Sequence, residues 1–249
     1  MNDAGLQCPI PHRREDHILL AHGEGARLSR RLIQDELATA FGTLGLQHLT
    51  DAAVLPACPD DLVMTTDTFV VTPLFFPGGD IGRLAIHGTI NDLAVTGATP
   101  LYLSIALVLE EGLPLDTLRR VVASLRTAAL ECRVAIVTGD TKVVPRGAVD
   151  QMFVNTTGLG RRRPGIKLDA DLVQPGSSII VSGTIGDHGL TILATREELG
   201  FGGALTSDTA SIYDLVQLLL NAGVAVRWMR DPTRGGVSAV LHELADAAQ

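Results

Sequence analysis

Apolar positions along this chain repeat at two spacings. Between Arg27 and Phe41, Leu28, Leu32, Ile33, Leu37 and Phe41 recur at helical spacing, which lines one face of a helix. The stretch His22-Gly23-Glu24-Gly25 precedes them and reads as a loop feeding that helix. A second helical pattern covers residues 80 to 96 through Ile81, Leu84, Ala85, Leu93 and Ala94, closed by Gly97 and then Pro100. Residues 52 to 55 and the Val- and Thr-rich run 62 to 71 predict strands. Strand 101 to 109, helix 114 to 131 and strand 134 to 138 give a β-α-β alternation, and 152 to 160 predicts one more strand.

The run RRRPG at 161 to 165 predicts a turn or linker, so a domain boundary falls near 161 to 175. Beyond it the pattern predicts a strand at 178 to 182, helices near 189 to 198 and 211 to 221, a strand near 224 to 229 and a helix from Gly235 to the end. Residues 1 to 17 are polar and proline-bearing and read as a flexible arm. The expected organisation is that arm, a first domain over 18 to 165 and a second over 166 to 249, in an α/β or α+β class.

A hydrophobic share of 46% over 249 residues is enough to pack such cores. The net charge of −8 argues against a nucleic-acid partner, which would require clustered Lys and Arg. Cys8, Cys58 and Cys132 are odd in number and lack a CxxC pair, so neither a disulfide framework nor a zinc knuckle is expected, and a reducing cytosol fits. No segment approaches the ~20 apolar residues of a membrane span, so no membrane partner is expected.

Candidate chemistry is acidic and glycyl. Asp51, Asp67, Asp80, Asp92, Asp140 and Asp231 fall at predicted element ends or glycine-rich turns. Magnesium takes hard oxygen ligands, so carboxylates of this kind can hold it against nucleotide phosphates. Aspartate also caps helices and turns with no metal, and spacing leaves both readings open. The His22 to Gly25 loop ahead of a helix offers backbone N–H groups to a phosphate. There is no GxxxxGK[ST], the spacing of Thr138-Gly139-Asp140-Thr141-Lys142 is wrong for one, and no GxGxxG follows a strand; an ordinary P-loop and a dinucleotide fingerprint are excluded. Lys142, at a strand end, can reach a phosphate, accept a proton if burial lowers its pKa, or be a surface lysine paired with Asp140. His22, His87, His188 and His242 show no metal-ligand spacing and read as structural, His22 being the exception because of its glycine neighbours.

Four stretches carry a resemblance: TDTFVVTPLFFPGGDIGRLAIHGTINDLAVTGATP at 66 to 100, TGDTKVV at 138 to 144, VSGTIGDHG at 181 to 189 and RDPTRGGV at 230 to 237. Together they resemble the HypE family of hydrogenase maturation proteins, within the superfamily of aminoimidazole ribonucleotide (AIR) synthetase, selenophosphate synthetase and thiamine-phosphate kinase. The pattern Asp92-x4-Gly97-Ala98-x-Pro100 is shared across that superfamily, and PLFFPGGDIG is specific to HypE. The resemblance implies a two-domain AIR synthetase-like (PurM-like) fold, an N-terminal α/β domain that dimerises through its strands and a C-terminal α+β domain closing over ATP. It implies a cytosolic homodimer that receives a carbamoyl group from HypF and serves the HypC–HypD iron scaffold. In that reaction ATP phosphorylates the oxygen of a carboxamide carried on a C-terminal cysteine, and loss of phosphate leaves a thiocyanate for the iron of [NiFe] hydrogenase.

Carried onto this sequence, the resemblance makes Asp67 and Asp92 the leading Mg2+ ligands, with Asp51, Asp140 and Asp231 as helpers. Lys142 and Asp92 are the expected catalytic pair, and His22, Gly23, Gly25, Asp67, Asn91, Gly139, Asp140 and Thr141 the expected nucleotide contacts. The family's Pro-Arg-Ile-Cys tail has no counterpart, since the sequence ends at Gln249 inside a predicted helix, so a fragment incomplete for turnover is expected. A phosphotransferase of the same superfamily acting on a small metabolite, or a nucleotide-binding fragment without turnover, are the competing expectations.

Overall fold

The computed structural model describes residues 16–25, 27–42, 52–197, 205–233 and 235–247. A 3-10 turn at Leu20–Gly23 leads into α1 (Arg27–Leu32), a π-helical stretch over Ile33–Ala38 and α2 (Thr39–Phe41), one continuous helical segment. The strands and helices that follow are β1 (Leu62–Phe69), β2 (Phe75–Phe76), β3 (Gly79–Asp80), α3 (Ile81–Val95), β4 (Ala98–Glu110), α4 (Leu115–Glu131), β5 (Ala135–Val144) and β6 (Met152–Arg162). After a short 3-10 turn at Ala170–Leu172 come α5 (Asp187–Arg196), α6 (Tyr213–Asn221) and α7 (Gly236–Ala247).

The main sheet has the order β1-β6-β4-β5, with β6 antiparallel to both of its neighbours and β4 parallel to β5. Two crossovers, β1-α3-β4 and β4-α4-β5, therefore join parallel strands, and their helices pack on the same face of the sheet. Strand β4 shows why: Leu103, Ile105, Leu107 and Leu109 alternate inward and are at most 3% exposed. Helix α4 answers with Leu118, Val121, Val122, Leu125 and Ala128, buried at helical spacing. From α3, Ile86, Ile90 and Leu93 are fully buried, each contributing about 1.5–3 kcal/mol of hydrophobic stabilisation.

The opposite face carries no helix among the described residues. Tyr102, Ser104, Ala106 and Val108 of β4 point that way with Phe153, Asn155 and Thr157 of β6, and none of them is buried. Lys142 and Asp140 of β5 share this face, because they register with Val108 and Ala106.

The expected strands at 52 to 55, 178 to 182 and 224 to 229 do not form. Val54 is 98% exposed and Ile180 88% exposed, so each run has β-branched residues but no neighbouring strand among the described residues to bond with. Strand propensity expresses packing against a partner, and without one the backbone stays irregular. No described helix is long and apolar enough to cross a membrane.

Candidate active site

The turn Pro77-Gly78-Gly79-Asp80 starts α3 and fixes the first candidate. Asp80 is the N-cap of that helix: its Oδ1 accepts from Gly82 N at 2.7 Å and Arg83 N at 3.1 Å, while Oδ2 accepts from Ser124 Oγ at 2.6 Å. With both oxygens so used, Asp80 is a helix cap.

Asp92 lies near the other end of α3, where its Oδ2 accepts from Thr65 Oγ at 2.7 Å. Alternation along β1 puts Asp67 on the same side of the strand as Thr65, facing the helix. Asp231 comes to this place from the irregular segment before α7. Burial pushes its carboxyl up to about 6, and the charges of Asp92 and Asp67 push it the same way; Arg230 opposes them and Asp208 adds to them. Asp67, Asp92 and Asp231, three of the five carboxylates expected to bind or help bind metal, thus share one electrostatic environment with Asp208. Of the other two, Asp51 lies outside the described residues and Asp140 is on β5.

Burial first, and then the neighbouring carboxylates, hold the proton on Asp231, and carboxylate oxygens are the hard donors that Mg2+ takes. Among the described residues no three His, Cys, Asp or Glu side chains already form a metal-ligand group. What the fold supplies is converging negative charge.

Lys142 stands elsewhere. Strands β6 and β4 separate β5 from β1, a distance of roughly 14 Å at the usual strand spacing, and Lys142 and Asp140 project to the open face while Asp67 projects to the helices. Asp140 Oδ1 accepts from the Thr141 backbone N–H at 2.8 Å. Gly139 answers a packing demand: a Cβ there would sit 2.3 Å from Ile105 O, beside the irregular register of β4 and β5.

The His22 to Gly25 loop belongs with β5. The His22 ring is buried and its Nδ1 accepts from Leu19 N at 2.9 Å. Gly23 lies so close to Val143 that a Cβ would meet its Cβ and N at 3.0 Å. Gly25 is left-handed (φ 75°) and its N–H donates to Ser29 Oγ at 2.9 Å. The expected residues therefore form two groups: Asp67, Asp92 and Asp231 at the β1 edge, and His22, Gly23, Gly25, Gly139, Asp140, Thr141 and Lys142 around β5.

Asn91 is neither. Its side-chain N–H donates to Ala210 O at 3.0 Å and its Oδ1 accepts from Ile212 N at 2.9 Å, so it clasps the segment before α6. Thr65 and Asp208 are the residues that sequence reasoning missed. The two-residue alternation from Asp67 points to Thr65, whereas no periodic signal marks Asp208 in its irregular segment.

Known proteins share this sequence and fold. Family models for the AIR synthase related protein match the chain twice, the N-terminal domain at residues 49–162 and the C-terminal domain at 174–249. The carbamoyl dehydratase HypE of Azotobacter vinelandii is 48% identical over 232 residues, covering 93% of this chain and 68% of that protein. A crystal structure of the hydrogenase maturation protein HypE in complex with ATP superposes with a TM-score of 0.89 at 50% identity, covering 93% of this chain and 69% of that one. A HypE from a HypE–HypF complex superposes with a TM-score of 0.73 at 45% identity, covering 87% of this chain and 70% of that one. The chain spans about two thirds of the length of the relatives it matches. Identity at this level over nine tenths of the chain, with the AIR synthase-type fold beneath it, means that the chain belongs to the HypE family of carbamoyl dehydratases.

Proposed function

We propose that this protein acts in [NiFe]-hydrogenase maturation, using Mg-ATP to dehydrate an S-carbamoyl group on a C-terminal cysteine to a thiocyanate. The observation that carries the nucleotide half of this reading is the convergence of Asp67, Asp92 and Asp231, where Asp231 is driven up to about 6. Mg2+ held by these carboxylates would neutralise phosphate charge, and that is the chemistry it supplies. The carboxamide oxygen attacks the γ-phosphorus and ADP leaves. Removal of both amide protons then lets C≡N form as the C–O bond breaks, and the oxygen departs as phosphate. Phosphorylation is needed because an amide oxygen is otherwise a poor leaving group.

Lys142 is the proposed phosphate or proton-transfer partner, and its place on the open face of β5 keeps it from the carboxylates of its own protomer, so in this reading it serves the partner's site at the β1 edge. The open sheet face supports a homodimer, since a two-fold axis running along the strands would set β5 of one protomer opposite β1 of its partner. HypF as carbamoyl donor, and the HypC–HypD complex as cyanide acceptor, are the partners this reading requires, and the cytosol is its setting. The division into 18 to 165 and 166 to 249, after an arm over 1 to 17, belongs to the same proposal.

Calorimetry with ATP tests the nucleotide half directly. Binding should require Mg2+ and should weaken by at least about tenfold in Asp92→Asn, the loss expected for one charged contact. Unchanged Mg-ATP affinity in that variant would falsify the carboxylate assignment.

A further inference from the structure

Three neighbouring arginines of the first helical segment stand without a partner. Arg27, Arg30 and Arg31 are exposed, and with Gln34 they fall at the i, i+3, i+4, i+7 spacing of one helix face, turned away from the buried Ser29 and Leu32. None of the three makes an ion pair or a side-chain hydrogen bond among the described residues. By contrast, Arg83 holds Glu131 at 2.7 Å, Arg119 holds Glu36 through two bonds at 2.8 and 3.0 Å, and Arg120 stacks on Phe75 at 3.8 Å.

The carboxylates nearest in sequence do not neutralise the stripe. Glu36 is taken by Arg119 from α4, and Glu24 lies in the loop before the helix and pairs with none of the three. Asp35 stands four residues after Arg31, a spacing that pairs charges on an α-helix, but the α-helix gives way to π-helical turns at Ile33 and no ion pair forms. Like charges three and four residues apart oppose helix formation, so the stripe is kept against a local cost. In a chain of net charge −8 it is a concentrated positive field. The three arginines, Gln34 and Gly25 line one open hollow of about 550 Å³.

We propose that this stripe docks an acidic segment of a partner protein, a row of carboxylates laid along the helix over roughly 10 Å and paired with Arg27, Arg30 and Arg31. Each guanidinium presents a planar fork that matches a carboxylate, and Gln34 ends the row with a neutral amide. A compact phosphate is a poorer fit. It calls for donors that converge, with backbone N–H groups among them, whereas these side chains leave one helix face side by side and the Gly25 N–H is already given to Ser29 Oγ at 2.9 Å. The rest of the acidic surface repels such a partner, so the stripe also sets where it lands. Docking here does not depend on the Mg-ATP reading of the carboxylate cluster.

The test titrates the 15N-labelled full chain with a short peptide of alternating glutamate and alanine and reads the arginine side-chain Nε–H resonances. Those of Arg27, Arg30 and Arg31 should move together and saturate at about millimolar peptide, as expected for a few exposed charge pairs, and added salt should reverse the shift. The glutamine counterpart of the peptide should move none of them. The double variant Arg30→Gln, Arg31→Gln should keep its melting temperature and bind the glutamate peptide roughly tenfold more weakly, while Arg126→Gln, at an exposed position on α4, should bind it as the parent does. Calorimetry with Mg-ATP on the double variant should give the parent's affinity; if the parent itself bound no Mg-ATP, the nucleotide reading would fail and the stripe would stand. Unchanged peptide affinity in the double variant, an equal loss in Arg126→Gln or an equal response to the glutamine peptide would overturn the proposal. So would displacement of the peptide by Mg-ATP, which would assign the stripe to the nucleotide site, or tighter binding of a single-stranded oligonucleotide at the same arginines.

Discussion

Asp231 has been brought by the fold into a place where its charge is unwelcome, and the consequence can be read as stability against pH. Its carboxyl is raised from 3.8 to about 6, by burial first and then by Asp92 and Asp67. The native state therefore binds the proton more tightly than the unfolded chain does between those values, and stability falls as pH rises through that window. Above it the ionised group remains a cost. Asp231→Asn, which cannot ionise, should match the parent protein near pH 4 and melt at a higher temperature at pH 7. Saturating Mg2+ should narrow or reverse that order, because a cation stabilises the parent cluster and has less to gain in the variant. Equal melting temperatures at pH 7 without magnesium would mean that Asp231 is not held among carboxylates. Thr65 makes a second prediction at this scale: Thr65→Val removes the donor that positions Asp92 Oδ2 and should cost about 1–2 kcal/mol in chemical denaturation.

Elements join these residues, and residues 207 to 212 form an irregular strap along α3, held there by Asn91. Asn91→Ala deletes both of its side-chain hydrogen bonds to this segment, which should cost about 1–3 kcal/mol locally. Hydrogen exchange should show the Ile212 amide losing protection while β4 and β6 keep theirs; unchanged protection at Ile212 would remove the strap's dependence on Asn91. The sequence pattern found α4, β4 and β6 because each has a buried side at a strict period, as Leu103 to Leu109 show, and α3, β1 and β5 through their apolar or Val- and Thr-rich runs. It misplaced strands at 178 to 182 and 224 to 229, since Ile179, Ile180 and Val181 have strand-like residues and no neighbour among the described residues. Asp67, Asp92 and Asp231 were legible as a group through the resemblance, whereas Asp80 and Asn91 were open to a structural role that only their hydrogen-bond partners decide. Nothing periodic marks Asp208, so it could not be found from the pattern. The exposed run also makes a prediction: limited proteolysis should cut first between residues 174 and 186, where Ile180 and Ile185 are 88% and 64% exposed in irregular backbone.

At the scale of the whole molecule the two groups of expected residues face a geometric obstacle. Lys142 lies on β5 and the open face; Asp67 and Asp92 lie at β1 and on the helix side, with β6 and β4 between. No side-chain rotation closes a gap of roughly 14 Å, because an extended lysine reaches only about half of that from its Cα. If the site is built across a two-fold axis, each protomer contributes Lys142 to its partner's cluster, and the two contributions are genetically separable. Lys142→Ala and Asp92→Asn should each lose Mg-ATP affinity or turnover alone. Unfolded together and refolded at equal amounts, they should form about half mixed dimers, in each of which one site has lost both groups and the other is intact. About a quarter of all sites should then recover, a fraction that active-site titration with Mg-ATP can read. Recovery requires exchange of protomers, so mixing without unfolding should restore little until the dimers have had time to dissociate. If the co-refolded mixture stays as weak as the average of the two variants, Lys142 acts within its own chain or not at all, and the dimer axis must be drawn elsewhere.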